Sequence, residues 1–333
     1  MRANLTLTIV SFAVVALTHS VIAQPPQETI RAAVAKGLTI VQKGAAGSMA
    51  QKKCFTCHHQ AMPVLAMTTA KERGFEIDEP ELQKQLKFTA EFLAKNKENY
   101  KQGKGTGGQA DTAGYALLTL SAGGWKADDT TEAVVSYLLQ RDKQREFWKS
   151  TSNRPPSEAS AYTTTYLALA ALKNYGAEKK WDDIDARKRK ARVWLVQNQP
   201  KDTEDRVFHL RALKLLESAD KYLLAASEEL IKKQRKDGGW SQLDKLESDA
   251  YATGSVLVAL HQAGDLPVKD EAYQRGLEFL LKTQQADGSW HIKTRSNPFQ
   301  TYFESGFPHG KDQWISSAGT SWATMALALA CDP

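Results

Sequence analysis

The chain has 333 residues, 42% of them hydrophobic, and carries 44 Lys and Arg against 38 Asp and Glu, a formal net charge of +6. That length exceeds one ordinary core but suits a repeat or ring architecture built as one domain. The cations interleave with acids, as from Lys179 to Arg192, which describes solvated helix faces and argues against a nucleic-acid partner. Three cysteines, two of them close together, are too few for a disulfide framework and point to a site instead.

In chain order, Arg2 precedes an apolar run from Leu5 to Leu17, and Val21-Ile22-Ala23 follows with a small residue at the cleavage point. Residues 1–23 therefore read as a secretory signal peptide, and 24–333 as one mature domain exported to a bacterial periplasm. An uncleaved anchor helix is the alternative. No later stretch approaches the ~20 apolar residues of a span, so no stable membrane span is expected in the mature chain.

Two kinds of helix then alternate. Amphipathic, charged segments at 27–43, 80–95, 129–140, 186–198, 220–234 and 270–285 read as outer helices. Segments rich in Ala, Thr and Leu on all sides, at 58–72, 110–122, 160–173, 205–217, 249–262 and 317–330, read as buried inner helices. Gly123, Gly176 and Gly264 fit helix C-terminal caps. Strand signals are nearly absent. Gln234-Arg235-Lys236-Asp237-Gly238-Gly239-Trp240 recurs as Gln284-Gln285-Ala286-Asp287-Gly288-Ser289-Trp290, fifty positions on, the mark of a repeat architecture. The expected fold class is all-α, a closed α/α toroid of six helix pairs. An open solenoid would need polar capping repeats, which the sequence lacks. Trp240 and Trp290 read as structural plugs between neighbouring repeats.

The outer-to-inner connections (43–57, 96–109, 141–158, 199–204, 235–248 and 286–317) share one end of the ring and are mostly long, so sites are expected there. The positive ends of six inner helices converge on the same end. Cys54-Phe55-Thr56-Cys57-His58 falls in the first of these connections. Cys-x-x-Cys-His is the c-type haem attachment pattern: two thiols bond the vinyl groups of one porphyrin edge, and the imidazole of the next residue ligates the iron. Attachment of this kind follows export, in agreement with the leader. Another metal on Cys54, Cys57 and His58 or His59, or a redox dithiol, are the alternatives. Candidates for the sixth iron position are Met62, Met67, His291 and His309, with His309 preferred because ring closure brings the 291–316 loop beside the motif.

Further residues are candidates for the cavity or its mouth: His59, Asp111, Tyr162, Asp249, Tyr251, Glu304, Asp312 and Trp314, together with Trp322 at an inner helix. For Asp111 and Asp249 helix capping is the plain reading, and for the aromatic residues core packing is. Cys331 reads as a buried free thiol. No catalytic residue is assigned.

The Gln-x-x-Asp-Gly-Gly-Trp units resemble the repeats of the squalene–hopene cyclase and protein prenyltransferase superfamily. The resemblance covers most of residues 80–333 and is strongest at the two repeats quoted. It implies an α/α toroid around a cavity and, for an enzyme, a polyisoprenoid substrate. The Cys-Phe-Thr-Cys-His-His segment ahead of such repeats, with Tyr302-Phe303-Glu304-Ser305-Gly306-Phe307-Pro308-His309-Gly310, also resembles a group of exported bacterial proteins. Cyclases of this superfamily use an Asp-x-Asp-Asp cluster on an inner helix and two toroids. Here the nearest string, Lys126-Ala127-Asp128-Asp129-Thr130, lacks the first Asp and precedes an outer helix. The prenyltransferase zinc set is not recognisable. The expected function is thus an exported haem c protein for electron transfer or redox and ligand sensing, its partner a redox protein or a small apolar ligand. A toroid enzyme acting on a polyisoprenoid or a carbohydrate is the alternative, the latter by fold analogy.

Overall fold

The computed structural model describes residues 24–298 and 300–332. The expected leader, 1–23, lies outside the described residues. Among those described there is no strand, only an isolated bridge between Arg154 and Glu158, and no helix long and apolar enough to cross a membrane.

Among the described residues there are thirteen α-helices, twelve of which form six pairs. The outer helices are α1 (Gln27–Gln51), α3 (Glu79–Lys95), α6 (Asp129–Gln140), α8 (Trp181–Gln197), α10 (Asp220–Lys232) and α12 (Glu271–Thr283). The inner helices are α2 (Met62–Glu72), preceded by a π-helical turn over Cys57–Ala61, then α5 (Gln109–Ala122), α7 (Ala161–Tyr175), α9 (Thr203–Leu215), α11 (Ala250–Gln262) and α13 (Gln313–Leu329). A short α4 (Lys97–Lys101) follows α3. Each inner helix packs on the next, and α13 packs on α2 and α1, so the ring closes. The all-round apolar pattern of the inner helices is explained by this layering. From Ile315 to Leu329 every residue of α13 is buried, whereas α12 buries one face only.

The Trp repeat is a hydrogen-bonded clasp. Trp240 and Trp290 each donate the indole N–H to the carbonyl ten residues earlier, in the outer helix (Leu230 at 2.7 Å, Leu280 at 2.9 Å). Their backbone N–H groups donate to an inner-helix threonine, Thr253 and Thr320. Trp148 repeats both contacts, to Leu138 at 2.8 Å and to Thr165, a third copy hidden in the sequence by its altered loop. Each clasp ties an outer helix to its inner partner. The repeat glutamine ties each pair to the next: Gln234 donates to Ala272 of α12, and Gln284 donates at 2.9 Å to Ala33 of α1, across the seam. Gly288 has φ +90°, and a Cβ there would meet the Lys36 carbonyl at 2.5 Å, so only glycine allows the last repeat to reach the first.

Several boundaries differ from expectation for identifiable reasons. Helix α1 runs to Gln51, past its expected end at 43, through Gly44 and Gly47. These glycines are close-approach positions: a Cβ on Gly44 would strike Phe307, and one on Gly47 would lie 1.9 Å from the Ser305 carbonyl. Helix α8 starts at 181 and α13 at 313, each about one turn before its expected start. Helix α5 starts from Gly108, in the left-handed region at φ +79°. Asp111 therefore lies inside the first turn and is not the cap. Gly123 and Gly176 are C-caps as expected, and Gly264 lies one residue beyond the Ala263 cap.

Trp290→Ala should lose about 3–5 kcal/mol of stability, and Gly288→Ala should lose more than Gly310→Ala: both force a positive φ on alanine, about 1–3 kcal/mol, but only at Gly288 does the added Cβ also meet the Lys36 carbonyl. Urea unfolding of the two variants against Gly310→Ala, where a Cβ meets open space, measures this. A Gly288→Ala loss no larger than that of Gly310→Ala would contradict the seam contact.

Candidate functional site

Loops from the first, third and sixth repeats meet at one end of the ring and enclose a recess of about 190 Å³. It is lined by Cys57, His58, Arg154, Pro155, Ser157, Glu158, Tyr302, Lys311, Trp314 and Ile315, among others. Ring closure makes it: the 303–317 segment lies directly over the 57–61 turn. The π-helical turn starts because Thr56 accepts from the His59 N–H, and Gln60 turns back to accept from Thr56 N at 2.8 Å and Thr56 Oγ1 at 2.6 Å. This fold-back sends Cys57 inward, leaves Cys54 exposed and stacks His58 beside His59.

Cys57 Sγ donates to Glu158 Oε1 at 3.1 Å. Burial, reinforced by the Glu158 charge, pushes the Cys57 thiol up, so it is protonated and unsuited to act as a thiolate nucleophile. Glu158 is itself paired with Arg154. His58 Nδ1 lies 2.5 Å from His59 Nδ1, and His59 Nε2 lies 2.9 Å from Ser305 Oγ. Trp314 packs against both imidazoles, with centroids at 5.3 Å from each. Desolvation, with a smaller contribution from Arg154, lowers His58 to about 3. Burial holds His59 well below its usual value too. Both rings are therefore neutral near pH 7, the state in which an imidazole nitrogen can bind a metal or accept a proton.

The other sequence candidates divide clearly. Trp314 lines the recess. Glu304 is exposed and accepts from Tyr302 OH. Asp312 pairs with His291 at 2.8 Å. His309 turns its Nε2 toward Ser289 and Gln285, stacks 4.6 Å from His291, and does not line the recess. Met62 and Met67 are buried in the core. Tyr162 stacks on Trp194 at 4.5 Å, and Trp322 meets Phe208 across the ring at 6.4 Å, so both serve packing. Asp128 caps α6 through a capping box, which gives the Asp128-Asp129 string a structural role. Cys331 is buried and free.

Beneath the recess lies a layer of buried acids at the inner-helix N-termini. Asp111 accepts from Thr164 and from Ser150 at 2.9 Å. Asp249 caps α11 through Ala252 N. Glu204, which carried no signal in the sequence, accepts from Thr163 at 3.1 Å and from Tyr251 OH at 3.1 Å. Desolvation raises all three: Asp249 to about 6, Asp111 to about 7 and Glu204 to about 8. Asp202 and Asp205 stand beside Glu204 and add to its shift. A motif search could not find Glu204, because its environment comes from α7 and α11.

These shifts have a stability consequence. Glu204 binds its proton more tightly folded than unfolded, so its contribution is full below pH about 4.5 and is lost as pH rises toward about 8. The stability difference between wild type and Glu204→Gln should fall by up to about 1.4 kcal/mol per pH unit in that window. His58 and His59, lowered on folding, act in the opposite sense below 6.5, and the difference measurement cancels them. Urea midpoints of both proteins from pH 4 to 9 check this; parallel profiles would refute it.

Comparison with known proteins bears on the fold. Residues 193–332 match the squalene-hopene cyclase C-terminal domain family. No curated protein matches the sequence. Similar solved structures include the apo type II terpene cyclase MstE from Scytonema, at 12% identity and a TM-score of 0.58, covering 92% of this chain and 99% of that one. A variant of the same cyclase in complex with geranylgeranyl dihydroxybenzoate, its substrate, gives 11% identity and a TM-score of 0.61, covering 91% and 97%. A possible member of the GH105 family from Salmonella enterica gives 14% identity and a TM-score of 0.55, covering 95% and 98%. Because this chain spans 97–99% of the MstE chains, that cyclase has one ring of the same size, and the expected requirement for two toroids does not hold for it. At these identities the likeness is one of fold, and the chain is an all-α, closed α/α toroid of the architecture seen in terpene cyclases and GH105-like proteins.

Proposed function

We propose that the recess is a covalent c-type haem site and that the chain is an exported haem protein for electron transfer or redox and ligand sensing. The observation carrying this reading is that the last Cys and the His of Cys54-Phe55-Thr56-Cys57-His58 both line one recess, at the end of the ring where long loops converge. The donor set fits: His58 is neutral and its Nε2 has no hydrogen bond among those described. Lys311 stands exposed at the rim, suited to a propionate, whereas Arg154 is already paired with Glu158. The recess is smaller than the roughly 300–1,000 Å³ of pockets that bury drug-sized ligands, and Cys54 is exposed outside its lining, so Cys54, Cys57 and His58 would hold the group at the mouth without enclosing it. Bound haem supplies one-electron and ligand-binding chemistry. The chain's part is to hold the thiols on one edge, orient the imidazole and exclude water with Trp314 and Ile315. His309 does not line the recess and its Nε2 faces Ser289 and Gln285, so ligation by His309 would require it to leave both partners.

The alternative is a toroid enzyme acting on a polyisoprenoid or a carbohydrate. Protonated Glu204 supports it as a general acid. Against it, Glu204 is covered by Thr163 and Tyr251 and does not line the recess. Aromatic side chains of α7, α9 and α13 (Tyr166, Phe208 and Trp322) also meet across the bore.

The deciding experiment is production in a host competent for cytochrome c maturation, followed by a denaturing-gel haem stain, mass spectrometry and a reduced-minus-oxidised spectrum. One covalent haem per chain is expected, retained through denaturation and lost in Cys54→Ser/Cys57→Ser. Colourless protein with the mass of the polypeptide alone would overturn the proposal.

A further inference from the structure

We infer that Gln313, Ser305 and His59 form a directional hydrogen-bond relay that fixes His58 as its Nδ1–H tautomer, leaving Nε2 as an unprotonated lone pair at the recess. The direction follows from donor and acceptor capacities together with the burial of His59. Gln313 Nε2 donates to the Phe303 carbonyl at 2.8 Å, and Gln313 Oε1 accepts from the Ser305 N–H at 3.0 Å. Reversing the amide would set a donor against the Ser305 N–H and an acceptor against the Phe303 carbonyl, so the orientation is determined.

Ser305 Oγ also contacts Gln313 Oε1. A carbonyl oxygen cannot donate, so the hydroxyl gives its only proton to Gln313. Ser305 Oγ can then only accept from His59 Nε2, 2.9 Å away, which places the His59 proton on Nε2. His59 is fully buried among His58, Ser305, Phe307 and Trp314, with no acid against its ring among the described residues, so it is neutral and its Nδ1 is bare. The 2.5 Å contact between the two Nδ1 atoms requires one donor, and His58 is the one left. Ser317 Oγ donates to the His58 carbonyl at 3.0 Å and holds the backbone in place. All three relay residues are buried, and two of them lie about 250 positions from His58 in sequence, so the relay exists only in the closed ring.

A hydrogen bond from Nδ1–H raises the basicity of the opposite ring nitrogen. Ser305 and Gln313 are thus positioning residues: they touch no ligand and act through His59. Their service to an axial iron ligand rests on the haem reading above; the relay does not.

Long-range 1H–15N correlation of the histidine side chains tests the relay in protein made without the haem maturation system. His58 should show a protonated Nδ1 and a bare Nε2, and His59 the reverse. Ser305→Ala should lose this single-tautomer pattern at both rings, and Ser305→Thr should keep it. A protonated Nε2 on His58 in the wild-type chain overturns the inference, and that measurement decides even where Ser305→Ala fails to fold. In haem-loaded protein, Ser305→Ala should raise the reduction potential and Ser305→Thr should return it; an unchanged potential would sink the tuning role. Wild type with the stated tautomers that never acquires haem would refute the haem reading and leave the relay standing.

Discussion

Gln284 of the last repeat donates to Ala33 of the first helix, Gly288 lies against Lys36, and α13 lies against α2. This seam is the contact on which the molecule depends. Six helix pairs in an open stack would expose two apolar ends; closure lets each end cover the other. Closure also lays the last inter-helix segment over the first, so that Ser305, Trp314 and Ser317 reach His58 and His59. A contact that stabilises the ring therefore also builds the recess, and the close approach of Ser305 to Gly47 and of Phe307 to Gly44 belongs to the same seam.

The clasps show how a repeat protein makes an irregular chain regular. Trp148, Trp240 and Trp290 each bond a carbonyl ten residues back and a threonine on the paired inner helix. An indole buried with its N–H satisfied contributes apolar area and direction at once. Where the glutamine of the motif is missing, at the third repeat, Arg187 lies over the Trp148 ring at 3.8 Å and donates to the carbonyls of Asp142 and Arg145. The clasp itself is kept, and the tie to the next pair is rebuilt with different chemistry.

At the mouth, two electrostatic effects oppose each other. The inner-helix N-termini carry positive partial charge, worth about 0.3–1 kcal/mol to a nearby carboxylate and up to ~2 kcal/mol in partly buried geometry. Asp111, Asp249 and Glu204 sit at those ends, yet all three titrate above their usual values. Each pKa unit corresponds to about 1.4 kcal/mol, so desolvation exceeds the dipole here. Near pH 7 Glu204 is therefore mainly protonated, Asp111 about half so and Asp249 mainly ionised, and these acids carry less charge than three free carboxylates would. At the rim Lys311 is exposed, and the Arg154 charge is met by Glu158.

Local pattern was enough for much of the architecture. Helix type followed from periodicity, the pairing from alternation, and closure from the absence of polar caps. All of these depend on residues near one another in the chain. Helix α1 runs eight residues past its expected end at 43, because Gly44 and Gly47 admit the packed 303–307 segment, a contact no local pattern reveals. Asp111 moved from cap to buried acid because Gly108 began the helix earlier. Glu204 and Gln313 carried no signal, and Ser305 only as a member of the 302–310 segment, since a carboxyl becomes an acid, and a serine a relay, only through the side chains and the dryness that distant helices bring to it. The chain's order decided which groups were available; the folded ring decided which of them lost their water and which atoms they faced.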